Sequence, residues 1–181
     1  MATSYKLVFA GPVGAGKTTA IQTLSDIEVV RTEANASDNV RKMKQTTTVA
    51  MDYGLMKLAS GDQVRLYGTP GQKRFDFMWD ILTENALGMI LLLRGNTADP
   101  VADLHTYLGE FREFIDKSSL VVGISFADQG RWQARDLVSR ELAAMGLPPC
   151  VMDTDARNRH HMGMLVKALI YGIDPFTETE G

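Results

Sequence analysis

Short apolar runs alternate with helical stripes along the chain, which predicts strands and helices in turn. The strands are expected where apolar residues run without a helical period between Gly, Pro or polar positions. They are Tyr5–Ala10, Thr48–Ala59, Gln63–Tyr67, Leu87–Leu93, Leu120–Ile124 and Cys150–Met152. The helices are expected where apolar residues recur every three or four positions. They are Thr18–Leu24, Val101–Ile115, Trp132–Met145 and Met164–Tyr171.

This order of elements predicts a three-layer α/β fold with a mostly parallel, six-stranded sheet. Ser60-Gly61-Asp62 separates the second and third strands and predicts one antiparallel hairpin. Residues 26–47 are polar and unpatterned, and an unstructured stretch of that length inside a compact domain indicates a functional loop. Because no repeat or linker interrupts the chain, residues 1–181 are expected to form a single domain.

Composition and charge exclude several classes of function. With 45% hydrophobic residues and a formal net charge of −3, the chain is typical of globular proteins and predicts no nucleic-acid partner. Its single cysteine, Cys150, excludes an internal disulfide and favours a cytoplasmic location. The longest apolar run, Leu87–Leu93, is too short to cross a bilayer, and no lipidation motif is present. We therefore expect no direct membrane anchor.

The strongest chemical motif joins the first predicted strand to the first predicted helix. It matches the P-loop pattern G-x-x-x-x-G-K-[ST] and consists of Gly11, Pro12, Val13, Gly14, Ala15, Gly16, Lys17 and Thr18. Such a loop surrounds the phosphates of a nucleoside triphosphate with main-chain N–H groups at a helix N-terminus. Lys17 is expected at the β- and γ-phosphates, Thr18 as a magnesium ligand, and Thr19 beside the nucleotide. The competing interpretation is a Gly-rich turn with a surface lysine.

A second motif, Tyr67-Gly68-Thr69-Pro70-Gly71-Gln72, follows the hairpin at the edge of the sheet where ligands bind. It resembles the D-T-A-G-Q segment of the Ras-like GTPases, so the predicted fold is a Ras-like G domain. The resemblance implies that the Gly71 N–H contacts the γ-phosphate and that Gln72 orients the attacking water. Gln72 and Lys17 are then the expected catalytic residues. Taken alone, T-P-G is also an ordinary turn.

The stretch T-T-T-V-A-M-D-Y-G at the end of the polar loop resembles the segment that leads out of switch I in the same family. There a threonine binds magnesium and senses the γ-phosphate. Spacing favours Thr48, while Thr46 and Thr47 compete with it, and a threonine-rich strand start fits the same residues. A loop held only by phosphate and metal contacts is an order–disorder switch that hydrolysis releases.

Base recognition is the weakest match, since Ser125-Phe126-Ala127-Asp128 stands where the family has N-K-x-D. The Asp128 carboxylate could accept the two donors of guanine, whereas adenine would present a lone pair to it. Asp128 could equally cap the next helix. The later segment Thr154-Asp155-Ala156-Arg157 resembles the family's S-A-K stretch, which implies that the Ala156 N–H contacts guanine. Asp153 and Asp155 are alternative carboxylates for the base.

Within the superfamily, the G-T-P-G-Q and T-T-V-A-M-D-Y-G stretches resemble the bacterial MglA-type GTPases that are encoded beside roadblock-domain partners. The resemblance implies GTP and GDP as ligands, Mg²⁺ as cofactor and a roadblock-type regulator. Two departures matter. Gly68 replaces an aspartate that holds a magnesium-bound water, which predicts low metal affinity. Val13 would hinder an incoming arginine finger, which predicts slow hydrolysis.

Several alternatives stay open at this stage. Arg41 and Arg74 could supply transition-state charge from within the chain, or be solvated side chains. Phe75 and Trp79 could form a partner surface, or pack beneath a helix. The favoured function is a GTP-hydrolysing molecular switch. A scaffold that holds nucleotide with little turnover competes with it, while a small-metabolite kinase would need an Arg-rich lid that the sequence lacks.

Overall fold

The computed structural model of the chain describes residues 2–35, 48–70, 77–129 and 133–173. The strands are β1 (Ser4–Ala10), β2 (Val30–Asn35), β3 (Thr48–Lys57), β4 (Gln63–Gly68), β5 (Gly88–Arg94), β6 (Ser119–Ser125) and β7 (Val151–Asp153). The helices are α1 (Lys17–Leu24), α2 (Phe77–Thr83), α3 (Pro100–Glu110), α4 (Arg112–Ile115), α5 (Ala134–Ala144) and α6 (Arg159–Ile173). All six predicted strands and all four predicted helices have a counterpart, with ends that differ by a few residues.

The strands form one sheet in the order β2-β3-β4-β1-β5-β6-β7. β1 pairs in parallel with β4 and β5, and the parallel pairing continues through β6 to β7. β3 runs against β4 and forms the predicted antiparallel hairpin with it. The predicted three-layer α/β fold with a mostly parallel sheet is confirmed. Since β1 lies between β4 and β5, the chain leaves it at the point where strand order changes direction, which is where such sheets bind ligands.

The sequence predicts six strands, whereas the described residues hold seven. The additional strand, β2, lies inside the stretch predicted as an unpatterned loop and pairs antiparallel with β3. Its residues, V-R-T-E-A-N, alternate only weakly between apolar and polar positions, and the strand is held at the sheet edge by main-chain pairing with β3. Residues 36–47, which end that stretch, lie outside the described part of the chain.

Two apolar clusters cover the two faces of the sheet. One contains Leu7 and Phe9 of β1 with residues of α1 and α6, and the other contains Val8 and Ala10 with residues of α3 and α5. The alternation of neighbouring side chains to opposite clusters follows from the two-residue period of a strand. Sequence runs that are apolar throughout, as in β5, are therefore buried on both faces.

Trp79 packs in the core, which confirms the interpretation of this residue as packed beneath a helix and not as a partner surface. Its side chain is 3% exposed and stacks on Phe111 with a centroid distance of 4.7 Å. Its indole N–H donates to the carbonyl oxygen of Pro70 at 3.3 Å. Trp79 thus anchors the chain immediately before Gly71. Phe75 lies outside the described residues.

The predicted helix over residues 101–115 is divided into α3 and α4 at Phe111, whose backbone leaves helical geometry. Asp99 caps α3 by accepting the Ala102 N–H at 2.9 Å, and Pro100 occupies the first turn, where its missing N–H costs nothing. Within the described residues, no helix combines the length and the apolar character needed to cross a bilayer.

Candidate functional site

The P-loop connects the carboxyl end of β1 to the N-terminus of α1, in the middle of the sheet. Gly11 has φ +144° and packs so closely on β5 that a β-carbon there would overlap the carbonyl oxygen of Leu92. No other residue type fits this position without moving β5. The helix that follows has no acidic residue in its first turn and no side-chain cap, so its N-terminal N–H groups are free to meet an anion.

Lys17 is folded back against the P-loop. Its side chain is 9% exposed, and its Nζ donates to the carbonyl oxygens of Gly11 at 2.6 Å and Pro12 at 3.0 Å. Burial lowers the pKa of the Lys17 ammonium to about 8, although the nearby Asp52 carboxylate raises it. These contacts hold the ammonium inside the loop, which is the place expected for a group that binds the terminal phosphates.

Thr18 makes a contact that the sequence motifs do not predict. Its hydroxyl donates to Oδ2 of Asp52, a residue of β3 that stands opposite Gly68 in the β3–β4 register. A hydroxyl oxygen beside a carboxylate is an oxygen-only set of donors, which is what magnesium prefers. Thr18 and Asp52 would hold the ion, which would neutralise phosphate charge when bound.

A cavity of about 420 Å³ extends from the P-loop, within the range of volumes typical of small-ligand sites. Its walls come from the P-loop with the start of α1, from residues 125–129 at the end of β6, from residues 153–157 at the end of β7, and from His161 of α6. The predicted residues among its walls are Ala15, Gly16, Thr19, Ser125, Asp128 and Ala156. The tertiary structure thus brings the three predicted parts of the site together.

The carboxylates of this cavity differ in their partners. Asp155 accepts hydrogen bonds from the Arg157 guanidinium at 2.7 and 2.9 Å and from the Arg157 N–H, and these bonds lower the pKa of Asp155 to about 2. Asp153 lies 3.4 Å from a guanidinium nitrogen of Arg135. Asp128 is exposed and, among the described residues, accepts no hydrogen bond, while its charge acts through space on the Arg157 guanidinium. Of the three, Asp128 is the carboxylate best placed to accept donors from a ligand.

Phe126 is held in the left-handed backbone region, with φ +54°, where a bulky residue is rare. This conformation turns the chain out of β6 and into the short 3₁₀ turn Ala127–Gln129 that carries Asp128. The Arg94 guanidinium lies 5.7 Å from the centroid of the Phe126 ring, a cation–π distance. Arg94 Nη1 is also 3.4 Å from the point where a β-carbon of Gly14 would stand. A positive charge therefore lies between the P-loop and the base end of the cavity.

Ser125 and Ala156 line the cavity in different ways. The Ser125 hydroxyl is buried and donates to the carbonyl oxygen of Leu93 at 3.2 Å, so it supports the sheet edge. The carbonyl oxygen of Ala156 accepts the Thr23 hydroxyl at 2.7 Å, which fastens this loop to α1. The Ala156 β-carbon lies 3.0 Å from the ideal β-carbon position of Gly16. These contacts set the distance between the phosphate and base ends of the site.

Other predicted residues lie at the rim or beyond the described part. The Val13 side chain is 60% exposed at the mouth of the loop. Gly71, Gln72, Arg41 and Arg74 lie outside the described residues, as do Thr46 and Thr47. Thr48 begins β3, where only its backbone is described.

Motif spacing misses two residues of the site, Asp52 and Arg94. Arg94 ends a strand whose other positions are apolar or glycine and buried, at the edge where ligands bind. A charged residue directly after a buried apolar strand is the sequence feature that could have predicted Arg94 as part of the site. Asp52 could not be found in this way, because its role depends on the pairing of β3 with β4.

The fold and the loop together define a P-loop protein of the nucleoside-triphosphatase class. A family model described as "Conserved hypothetical ATP binding protein" matches residues 9–108, more than half of the chain, and the chain belongs to that family. No curated protein sequence matches the chain.

Solved structures share the fold. One is a bacterial selenocysteine-specific elongation factor, EF-Sec, with a TM-score of 0.64 and 16% sequence identity. The match covers 97% of this chain and 30% of that chain, so the likeness concerns less than a third of the larger protein. In all, 1151 chains of solved structures match, and a fold so widespread does not by itself select an activity.

Proposed function

We propose that this protein is a cytoplasmic GTPase that acts as a GTP/GDP molecular switch with slow intrinsic hydrolysis. One observation carries the proposal: a single cavity has Ala15 and Gly16 of the P-loop in one wall and the exposed Asp128 carboxylate in another. The first wall suits phosphates and the second suits a base with two adjacent donors. Guanine presents such a pair through N1–H and its exocyclic amine, whereas adenine presents an acceptor at N1.

The family's description names ATP, and an ATP-binding protein is the second candidate. The Asp128 carboxylate favours guanine. Adenine N1 carries a lone pair instead of a proton, so it would face the carboxylate as a second acceptor and remain without a hydrogen bond. That costs on the order of 1–3 kcal/mol, which corresponds to about tenfold or more in relative affinity. The nearby Arg94–Phe126 pair adds an aromatic face and a charge on which either purine could stack.

Asp128→Asn is expected to reduce the preference for GTP over ATP by about tenfold. The amide keeps one acceptor but replaces the other with a donor, which opposes guanine and suits adenine. Competition of unlabelled GTP and ATP against a fluorescent nucleotide measures the ratio.

Asp153→Asn is the matched control for this experiment. It makes the same chemical change in the same cavity, at a carboxylate that already faces Arg135, and should leave the ratio unchanged. If wild-type protein binds ATP as tightly as GTP, or if Asp153→Asn has the larger effect, Asp128 does not read guanine.

Gln72→Ala is expected to slow hydrolysis of bound GTP by about tenfold, because the attacking water loses the group that orients it. Single-turnover conversion of bound GTP to GDP measures the rate. Gln22→Ala, an exposed glutamine of α1, is the control and should hydrolyse at the wild-type rate. A wild-type rate no faster than that of free GTP would favour the alternative, a scaffold that holds nucleotide without turnover.

The finer proposal is that the chain is an MglA-type GTPase regulated by a roadblock-type protein. Its support is the resemblance of the G-T-P-G-Q and T-T-V-A-M-D-Y-G stretches. The exposed Val13 at the loop mouth is consistent with this, because a side chain there obstructs an arginine finger supplied by a partner. A regulator would then act by repositioning groups of this chain.

A further inference from the structure

Arg94, the last residue of β5, places its guanidinium between two parts of the candidate site that are far apart in the sequence. Its Nη1 is 3.4 Å from the point where a β-carbon of Gly14 would stand, and the guanidinium lies 5.7 Å from the centroid of the Phe126 ring. Gly14 has φ +78°, a left-handed conformation that favours glycine, and the absence of a side chain leaves that side of the P-loop open to Arg94. One cation therefore lies beside both the P-loop and the turn after β6.

The surrounding backbone fixes this arrangement. The Gly95 N–H donates to the carbonyl oxygen of Ser125 at 2.7 Å, and a β-carbon at Gly95 would lie 3.1 Å from Cα of Ala127. The end of β5 is thus packed directly on the turn after β6. Within the Arg94 side chain, Nε donates to Oδ1 of Asn96 at 3.1 Å, which limits the directions that the guanidinium can take.

The outer end of this guanidinium has donors to spare. Among the described residues, neither terminal nitrogen of Arg94 donates a hydrogen bond, and no carboxylate forms an ion pair with it. Its charge acts through space on Asp103, where burial raises the pKa of the carboxyl and Arg94 opposes that rise. Arg94 is half-buried, so its charge is partly withdrawn from water. An anion held by the neighbouring P-loop would offset that cost.

The position of this charge complements a substitution in the base-recognition segment. The N-K-x-D segment of the Ras-like family has a lysine where this chain has Phe126. The Phe126 ring lines the cavity and carries no charge, but it lies against a cation that comes from β5. The positive charge that the turn lacks is therefore supplied by the neighbouring strand.

We propose that Arg94 is a positioning residue that retains the bound nucleotide. It supports the P-loop at Gly14, orients the Phe126 ring in the wall of the cavity and adds positive charge behind the phosphate-binding loop. This inference deepens the proposed function and rests on it, because the residue acts on a nucleotide held in that cavity.

Arg94→Ala is expected to speed the release of bound nucleotide by about 10-fold, because both the charge and the support of the Phe126 ring are lost. The measurement is the dissociation rate of a fluorescent nucleotide, methylanthraniloyl-GDP or -ADP, whichever the wild type binds, in MgCl₂ with excess unlabelled nucleotide. Arg140→Ala, the same change at an exposed arginine of α5, is the control and should release nucleotide at the wild-type rate.

Moving the charge to the other strand separates positioning from structural support. In the double variant Arg94→Ala/Phe126→Lys the cation is carried by the turn after β6, beside the same glycine of the P-loop, and release should return toward the wild-type rate. Phe126→Lys alone places two like charges side by side and should not slow release. The four rates form a double-mutant cycle that measures the coupling of the two positions. A packing role for Arg94 would not be restored by a charge on a different strand.

Each outcome of this cycle decides for or against the proposal. Faster release in Arg94→Ala with recovery in the double variant supports it. Unchanged release in Arg94→Ala, or faster release without recovery, would overturn it. Arg94→Met keeps an apolar stem beside the Phe126 ring, and it takes the place of Arg94→Ala in the cycle if urea unfolding shows that the alanine variant is not folded. If the wild type binds neither nucleotide, the proposed function fails as well; if it binds one of them and the cycle shows no coupling, only this inference fails.

Discussion

Lys17→Ala is expected to lower the affinity for the nucleoside triphosphate by about 100-fold or more. In the free protein the ammonium already lies inside the P-loop, with two carbonyl oxygens as partners, so little ordering is needed when phosphates arrive. Hydrogen bonds from a charged donor contribute about 1.5–3 kcal/mol each, and two bonds to phosphate oxygens account for the expected loss. Isothermal titration with the triphosphate and MgCl₂ measures it.

Lys167→Ala, an exposed lysine of α6, is the control and should bind as wild type. Urea unfolding of the free proteins separates binding from folding. Removing Lys17 takes away two hydrogen bonds but also relieves the burial of an ammonium, so the change in unfolding free energy should be small. Unaltered triphosphate affinity in the folded variant would contradict the P-loop assignment and everything proposed from it.

Gly11→Ala is expected to lower the free energy of unfolding by about 3–5 kcal/mol. Two costs add: the left-handed backbone at φ +144° strains an alanine by about 1–3 kcal/mol, and the added carbon overlaps β5 at Leu92, an overpacking of similar size. Urea unfolding in the absence of nucleotide, followed by circular dichroism, measures the difference.

Two other glycines separate these costs. Gly61 has φ +91° with nothing within 4 Å of a β-carbon, so Gly61→Ala should cost only about 1–2 kcal/mol of backbone strain. Gly163 lies inside α6 and also has nothing within 4 Å of a β-carbon. Gly163→Ala should therefore raise the free energy of unfolding by about 0.5–1 kcal/mol. Equal losses at Gly11 and Gly61 would mean that the close approach of the P-loop to β5 does not exist.

The predictable parts of the fold are those with a local pattern. The central strands are apolar throughout because helices pack on both faces of the sheet. The helices carry apolar residues along one side because only that side packs on the sheet. β2 has neither property: it is short, half polar and at the sheet edge, so its pairing with β3 is what reveals it. The break at Phe111 was hidden for a related reason, since the apolar period continues across it from α3 into α4.

The phosphate end of the candidate site is predictable from the sequence, because glycine, lysine and threonine at fixed spacing between a strand and a helix impose a local structure. The partners of the carboxylates around the candidate site depend instead on the folded arrangement of the chain. Arg157 donates to Asp155, Asp128 accepts no hydrogen bond among the described residues, and Asp52 accepts the Thr18 hydroxyl. The reason is physical: a hydrogen-bond partner or a shared volume belongs to residues that are far apart in the chain and adjacent only after the sheet has formed.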